Sequence, residues 1–337
     1  MIKKLLVGIV IITALALAGV YYAIEQAKSY LQTPLALNQA ELVTITPGTS
    51  FNRAIGLLVA QGWLSETPYL RLLPKLYPEL TNVKAGTYQL VAPLTAYDAL
   101  AQFTQGKEHQ FTITLVEGSR FSEWRQQLAQ APHLTHQLTE LSEAEIAAKL
   151  GVDREKLEGL FLAETYHYTA GTTDVALLQR AQRNLERVLK KHWAQRDAAL
   201  PLRSEYDALT LASIIEKETA IASERSRVAS VFINRLNLGM RLQTDPTVIY
   251  GMGEAYDGNI RKKDLRTATP YNTYMINGLP PTPIAMVGEA AIAAALSPEQ
   301  SDYLYFVASG RGDHVFSKTL AEHNRAVRAY LKVLRNQ

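Results

Sequence analysis

From Leu5 to Ile24 the chain runs for twenty residues without a charged side chain. At about 1.5 Å per helical residue, such a run covers roughly the hydrocarbon thickness of a bilayer. Lys3 and Lys4 precede it, and Glu25 and Lys28 follow it. The positive-inside rule then keeps residues 1–4 in the cytoplasm, takes 5–24 across the membrane and exports the remainder. A cleaved signal peptide is the competing reading, because Ala16-Leu17-Ala18 looks like a cleavage site. Apolar residues continue past it through Val20, Tyr21, Tyr22 and Ile24, and the tyrosines suit an interfacial belt. We therefore expect a retained single-pass anchor.

The exported part is long enough for two domains with sizeable cores. The 337 residues include no cysteine, which excludes disulfides, thiolate nucleophiles and thiolate metal sites. The formal net charge of +3 is spread along the chain. It gives no footprint for nucleic acid and is compatible with an anionic membrane or cell-wall surface. Residues 25–40 read as a polar, alanine-rich stalk. From Glu41 the pattern becomes strand (41–46), helix (51–64), helix (69–76), strand (85–90) and closing helix (96–103), a small α+β domain over 41–107. A strand over 110–116 opens a larger mixed domain over 108–337. It is mostly helical from 119 to about 200, with a loop near 166–173. Helices follow over 206–238, a hairpin about Gly310–Asp313 and a terminal helix over 319–334. The fold class expected is α+β.

Within the second domain, Leu211-Ala212-Ser213-Ile214-Ile215-Glu216-Lys217-Glu218-Thr219 puts an acid among apolar residues. Leu211, Ile214, Ile215 and Ala222 recur at helical spacing. Glu218 falls on that stripe, while Glu216 falls on roughly the opposite side, where it can remain solvated. A carboxylate that loses water without gaining a cation has its pKa raised, as a general acid requires. A structural ion pair or a helix cap is the competing role for Glu218. Ser223 suits the start of the following helix and Gly239 its end. Asp245-Pro246 then breaks regular structure, which places Gln243 to Asp245 near a cleft rim. The loop Thr269 to Ile284 mixes aromatics, amides, hydroxyls and prolines, a composition suited to sugars and equally to a proline-stiffened loop. The histidines form no ligand pattern, and His314 and His323 stand isolated. There is no zinc-protease pattern, nucleophile elbow or phosphate loop. No metal or cofactor is expected.

Several of these segments occur in series: Ser213 to Thr219, Val231-Phe232-Ile233-Asn234-Arg235-Leu236, Leu242-Gln243-Thr244-Asp245-Pro246-Thr247, Tyr271-Asn272-Thr273-Tyr274 and Gly278-Leu279-Pro280-Pro281. Together they resemble the YceG-like family, the membrane-anchored endolytic murein transglycosylases of the MltG type, from about residue 41 to the C-terminus. Ala163 stands where the family often has proline. The resemblance implies a LysM-like first domain, an inner-membrane anchor, a periplasmic catalytic part and Glu218 as the catalytic acid. It implies cleavage of nascent peptidoglycan strands between N-acetylmuramic acid and N-acetylglucosamine, leaving 1,6-anhydro ends and terminating elongation. Gln243, Asp245, Tyr271, Asn272 and Tyr274 are the candidate substrate contacts. Peptidoglycan strands, peptidoglycan synthases and the inner membrane are the implied partners. Two alternatives stay open: a muramidase-type hydrolase using Asp245 or Glu164 as second carboxylate, and a membrane-anchored glycan-binding scaffold.

Overall fold

The N-terminal apolar run forms about two thirds of α1 (Ile2–Leu31) in a computed structural model that describes residues 2–335. Met1, from the expected cytoplasmic terminus, and the last two residues of the expected second domain lie outside the described residues. Leu5, Ile12, Leu17 and Tyr22 are all exposed along this run. Among the described residues, α1 is the one helix long and apolar enough to cross a membrane. The helix does not stop at Ile24. Ala27, Leu31 and Leu35 follow at four-residue spacing, and all three are buried in the first core. The segment expected as a stalk therefore begins the core, because Ala27 and Leu31 share one face of the helix and Leu35 turns inward beyond its end.

The chain divides into two compact units, Met1–Phe111 with Tyr168–Gly171, and Thr112–His167 with Thr172–Gln337. In the first unit, β1 (Glu41–Ile45) pairs antiparallel with β2 (Gly86–Leu90), Glu41 opposite Leu90 and Ile45 opposite Gly86. Alternation turns Val43, Ile45, Tyr88 and Leu90 inward. α2 (Phe51–Ala60) starts where the Ser50 side chain accepts from Arg53 N, and it ends four residues before the expected Leu64. The second expected helix shrinks to α3 (Leu73–Leu76). Pro74 has no N–H to donate and fits only the first turn. α4 (Ala96–Gln105) opens with a Thr95–Asp98 capping box and closes on Gly106 at φ 72. Phe51, Ile55, Leu58, Leu100 and Phe103 fill this core.

β3 (Phe111–Leu115) forms a two-stranded sheet with β4 (Glu164–Tyr168), and all but the first residue of β3 and the last of β4 belong to the second unit. β4 lies where a helix and then a loop were expected from sequence. Its aromatic and β-branched run Thr165-Tyr166-His167-Tyr168 favours a strand. α5 (Phe121–Gln130) and α6 (Glu143–Leu150) lie between those two strands in the chain. α7 (Asp174–Gln195), α8 (Glu205–Glu218), α9 (Arg225–Asn237) and α11 (Glu289–Leu296) build the main core, with α10 (Asp245–Met252) also against α8. β5 (Tyr305–Ala308) and β6 (His314–Ser317) form the expected hairpin, Ala308 opposite His314, and α12 (Leu320–Arg335) packs on both strands.

Candidate active site

α8 places three consecutive polar residues in three different environments. Its N-terminus is capped by Ser204, whose side chain accepts from Asp207 N, and its last helical residue is Glu218. Neighbouring helices cover its middle, where every residue from Ala208 to Ile215 is buried. At its end, Glu216 Oε2 accepts from Gly288 N at 3.0 Å, with Arg225 Nη2 3.8 Å from its other oxygen. Lys217 Nζ donates to Gly118 O at 2.9 Å. Glu218, where the helix stops, turns its carboxylate toward a cavity of about 380 Å³. The expectation that Glu216 remains solvated fails, because its side chain is only 5% exposed. Burial pushes its carboxyl above the usual range, while the Gly288 N–H and the Arg225 charge pull the other way.

Glu218 accepts a short hydrogen bond from Thr244 Oγ1. Burial pushes its carboxyl up to about 7, and the Asp245 charge adds to the rise. The Thr244 bond and the charges of His314 and Arg235 oppose it without cancelling it. Such a carboxyl is substantially protonated at neutrality and can give its proton to a bound group. Thr244 is itself held fast. Its N–H donates to Thr273 Oγ1 at 3.1 Å, and its carbonyl accepts from Thr247 Oγ1 at 2.8 Å. Its hydroxyl is therefore aimed by buried backbone bonds.

Arg235 lines the same cavity. Its guanidinium donates to Leu304 O at 2.7 Å, Leu242 O at 2.8 Å and Arg241 O at 3.1 Å. These three bonds tie α9 to the residue before β5 and to the segment before α10. Tyr305 and His323 stack beside it, ring centroids 5.2 Å apart. Burial and the Arg235 charge hold the His323 imidazole below its ordinary value, hence neutral at pH 7.

The structure brings Gln243, Asp245 and Tyr274 to the Glu218 cavity. Gln243 takes a left-handed backbone, φ 53, which carries the chain around the cavity rim. Asp245 opens α10, with proline next in its first turn, and Asp245 Oδ1 accepts from Tyr274 Oη at 2.7 Å. Asn272 and Tyr271 are placed elsewhere. Asn272 is 1% exposed, donates to Thr267 O and Asp264 O, and accepts from Tyr274 N. It shapes the loop. Tyr271 packs edge-on to Tyr250 and lines a different cavity. Glu164 sits on β4, accepts from Asn184 and does not line the Glu218 cavity. Sequence reasoning missed Thr244, Arg235, Tyr305 and His323. Arg235 carries a readable signal, a cation three residues after Phe232 and four after Val231 on an otherwise apolar stripe.

The profile of the YceG-like family matches residues 43–329. This chain belongs to the YceG-like family. A Bacillus subtilis protein named endolytic murein transglycosylase is 32% identical over 284 residues, covering 76% of this chain and 75% of the relative. A Streptococcus pneumoniae protein of the same name is 26% identical, covering 97% of this chain and 65% of the relative, so the chain spans about two thirds of that protein's length. A crystal structure of a yceG-like protein from Listeria monocytogenes is similar at a TM-score of 0.54 and 29% identity, covering 86% of this chain and 99% of that one. The YceG-like region takes in every residue of the cavity, from Glu218 to His323.

Proposed function

We propose that this YceG-like protein is an endolytic murein transglycosylase. It cleaves peptidoglycan strands between N-acetylmuramic acid and N-acetylglucosamine and leaves 1,6-anhydro-muramoyl ends. The observation that carries this reading is Glu218: a carboxyl at the end of a buried helix, facing a cavity and held protonated near neutrality. Protonated Glu218 gives its proton to the glycosidic oxygen as the C1–O bond breaks. The resulting carboxylate takes the proton of the muramoyl C6 hydroxyl, whose oxygen closes on C1. One residue is acid and then base, and the nucleophile belongs to the substrate. Arg235 and Thr244 fix the carboxyl's surroundings, and Gln243, Asp245 and Tyr274 are offered as contacts to the bent strand.

In this reading α1 holds the protein in the inner membrane, with the catalytic unit in the periplasm. The strand–helix–helix–strand unit is LysM-like and places the strand. Action on nascent strands next to peptidoglycan synthases would terminate elongation. Incubation of the full-length protein with purified uncrosslinked glycan strands, followed by mass spectrometry, tests the chemistry. Anhydro ends are expected. Reducing ends would replace this reading with a hydrolase that uses Asp245, and intact strands would leave a glycan-binding scaffold.

A further inference from the structure

A second buried acid lies outside the Glu218 cavity. Glu158 is 6% exposed and accepts from Phe121 N at 2.9 Å. It lines a cavity of about 310 Å³ together with Arg120, Tyr250, Gly251, Tyr271 and Lys156. Tyr250 and Tyr271 set their rings at 62°, centroids 4.8 Å apart. Arg120 lies 5.4 Å from the Tyr250 ring centroid and donates to Ile249 O at 3.2 Å, near the C-terminal end of α10. Gly251 allows this wall to close, since a Cβ there would come 3.1 Å from Tyr271 Cβ.

The chemistry of the lining selects a neutral, hydroxyl-rich ligand. Two cations, Arg120 and Lys156, stand against Glu143 and a half-protonated Glu158, so the lining carries little net charge and a charged ligand gains little attraction. Tyrosine rings with polar groups beside them match the apolar faces and equatorial hydroxyls of a pyranose. Burial pushes the Glu158 carboxyl up to about 7, so near neutrality it is available both as donor and as acceptor to hydroxyls. The position fits as well. Asp245 in the Glu218 cavity and Tyr250 in this one belong to the same short helix, five residues apart, so about 8 Å along its axis and roughly 140° around it, a separation that a strand of several units can cover. We infer that the cavity between the end of α10 and the start of α5 binds a further saccharide unit of the strand whose scissile bond lies at Glu218. The inference rests on the glycan-cleaving reading given above.

Binding of N-acetylglucosamine oligomers of two and of six units to full-length Glu218→Gln protein tests it, by calorimetry with melting curves as the check on folding. Adding Tyr250→Ala, or Ser122→Trp at the exposed mouth of the cavity, should weaken the six-unit oligomer about tenfold. Affinity for the two-unit oligomer should stay within about twofold, and Tyr250→Phe should restore most of the loss. Equal loss for both lengths, or no loss in a folded variant, overturns the inference. If such a variant, with Glu218 restored, still cleaves strands, the catalytic reading stands without it. If neither oligomer binds the Glu218→Gln chain, the inference falls, and the catalytic reading falls with it only if the parent chain also leaves strands intact.

Discussion

At the scale of single residues, the proposed reading makes the site turn on one proton. Glu218→Gln keeps size and hydrogen bonding to Thr244 but has no acid proton to give. Strand cleavage should fall by about a hundredfold or more, the usual scale for removing a general acid, with folding intact. Undiminished cleavage would remove Glu218 from the chemistry. The same carboxyl makes cleavage and stability depend on pH in a stated direction. Glu218 sits at about 7 in the folded protein, above the ordinary glutamate value of 4.5. The native state therefore binds more protons than the unfolded chain between those values. Stability present below about pH 4.5 is lost as pH rises toward 7. Activity should fall above about pH 7 as the acid form disappears. Glu218→Gln should flatten the melting temperature against pH across that window and raise it at pH 8. Glu158 and Glu216, both shifted upward by burial, retain a part of the slope. Melting curves of parent and variant that run parallel from pH 4 to 8 would contradict the assignment.

At the scale of elements, α8 works as a latched rod. Glu216 holds Gly288 N just before α11, Lys217 holds Gly118 O, and Glu218 is left to the cavity. Removing Glu216 as far as alanine leaves a buried N–H and the Arg225 charge without their partner, a cost of about 1–3 kcal/mol. We expect Glu216→Ala to melt earlier and to lose kcat more than KM, because α8 positions the acid and the variant touches no substrate. Glu216→Gln keeps a carbonyl for Gly288 N and should recover most of the activity. A Gln variant as impaired as the Ala variant would mean that the charge itself matters. The same helix shows how far the sequence can be read. The apolar stripe singles out Glu218, yet Ala222 on that stripe lies past the helix end, in a 3-10 turn. Glu218 reaches the cavity because the helix stops there. Glu216 shares the burial because α7, α9, α10 and α11 surround α8. A one-dimensional stripe reports a face only when the helix has a wet side. The hairpin, α4 and the turn before α10 were legible because glycine, proline and capping residues act locally. β4 and the separation of Tyr271 from the Glu218 cavity depend on contacts between distant segments, which no local pattern encodes.

At the scale of the whole molecule, anchor, first unit and second unit divide the labour in the proposed reading, and deletion can separate them. The Glu218 cavity is lined by residues 218 to 323, and the core around it is built from residues 160 to 316. All of these belong to the second unit. The first unit has a core of its own, and that core begins at Ala27, well before β1. A deletion starting at residue 41 would strip Ala27, Leu31 and Leu35 of their partners and leave an apolar stripe exposed to aggregate. Removing residues 27–107 takes that stripe out together with its cover and joins the anchor to β3. This shortened protein should still fractionate with membranes, keep an intact N-terminus and cleave strands in a Glu218-dependent way. The lengths of its products should change, because the first unit, which in the proposed reading places the strand, is gone. Recovery of parent chain as a soluble form beginning at Gly19 would show that the apolar run is a cleaved signal. A folded deletion protein with no cleavage at all would show that the first unit contributes to the chemistry and not to placement alone.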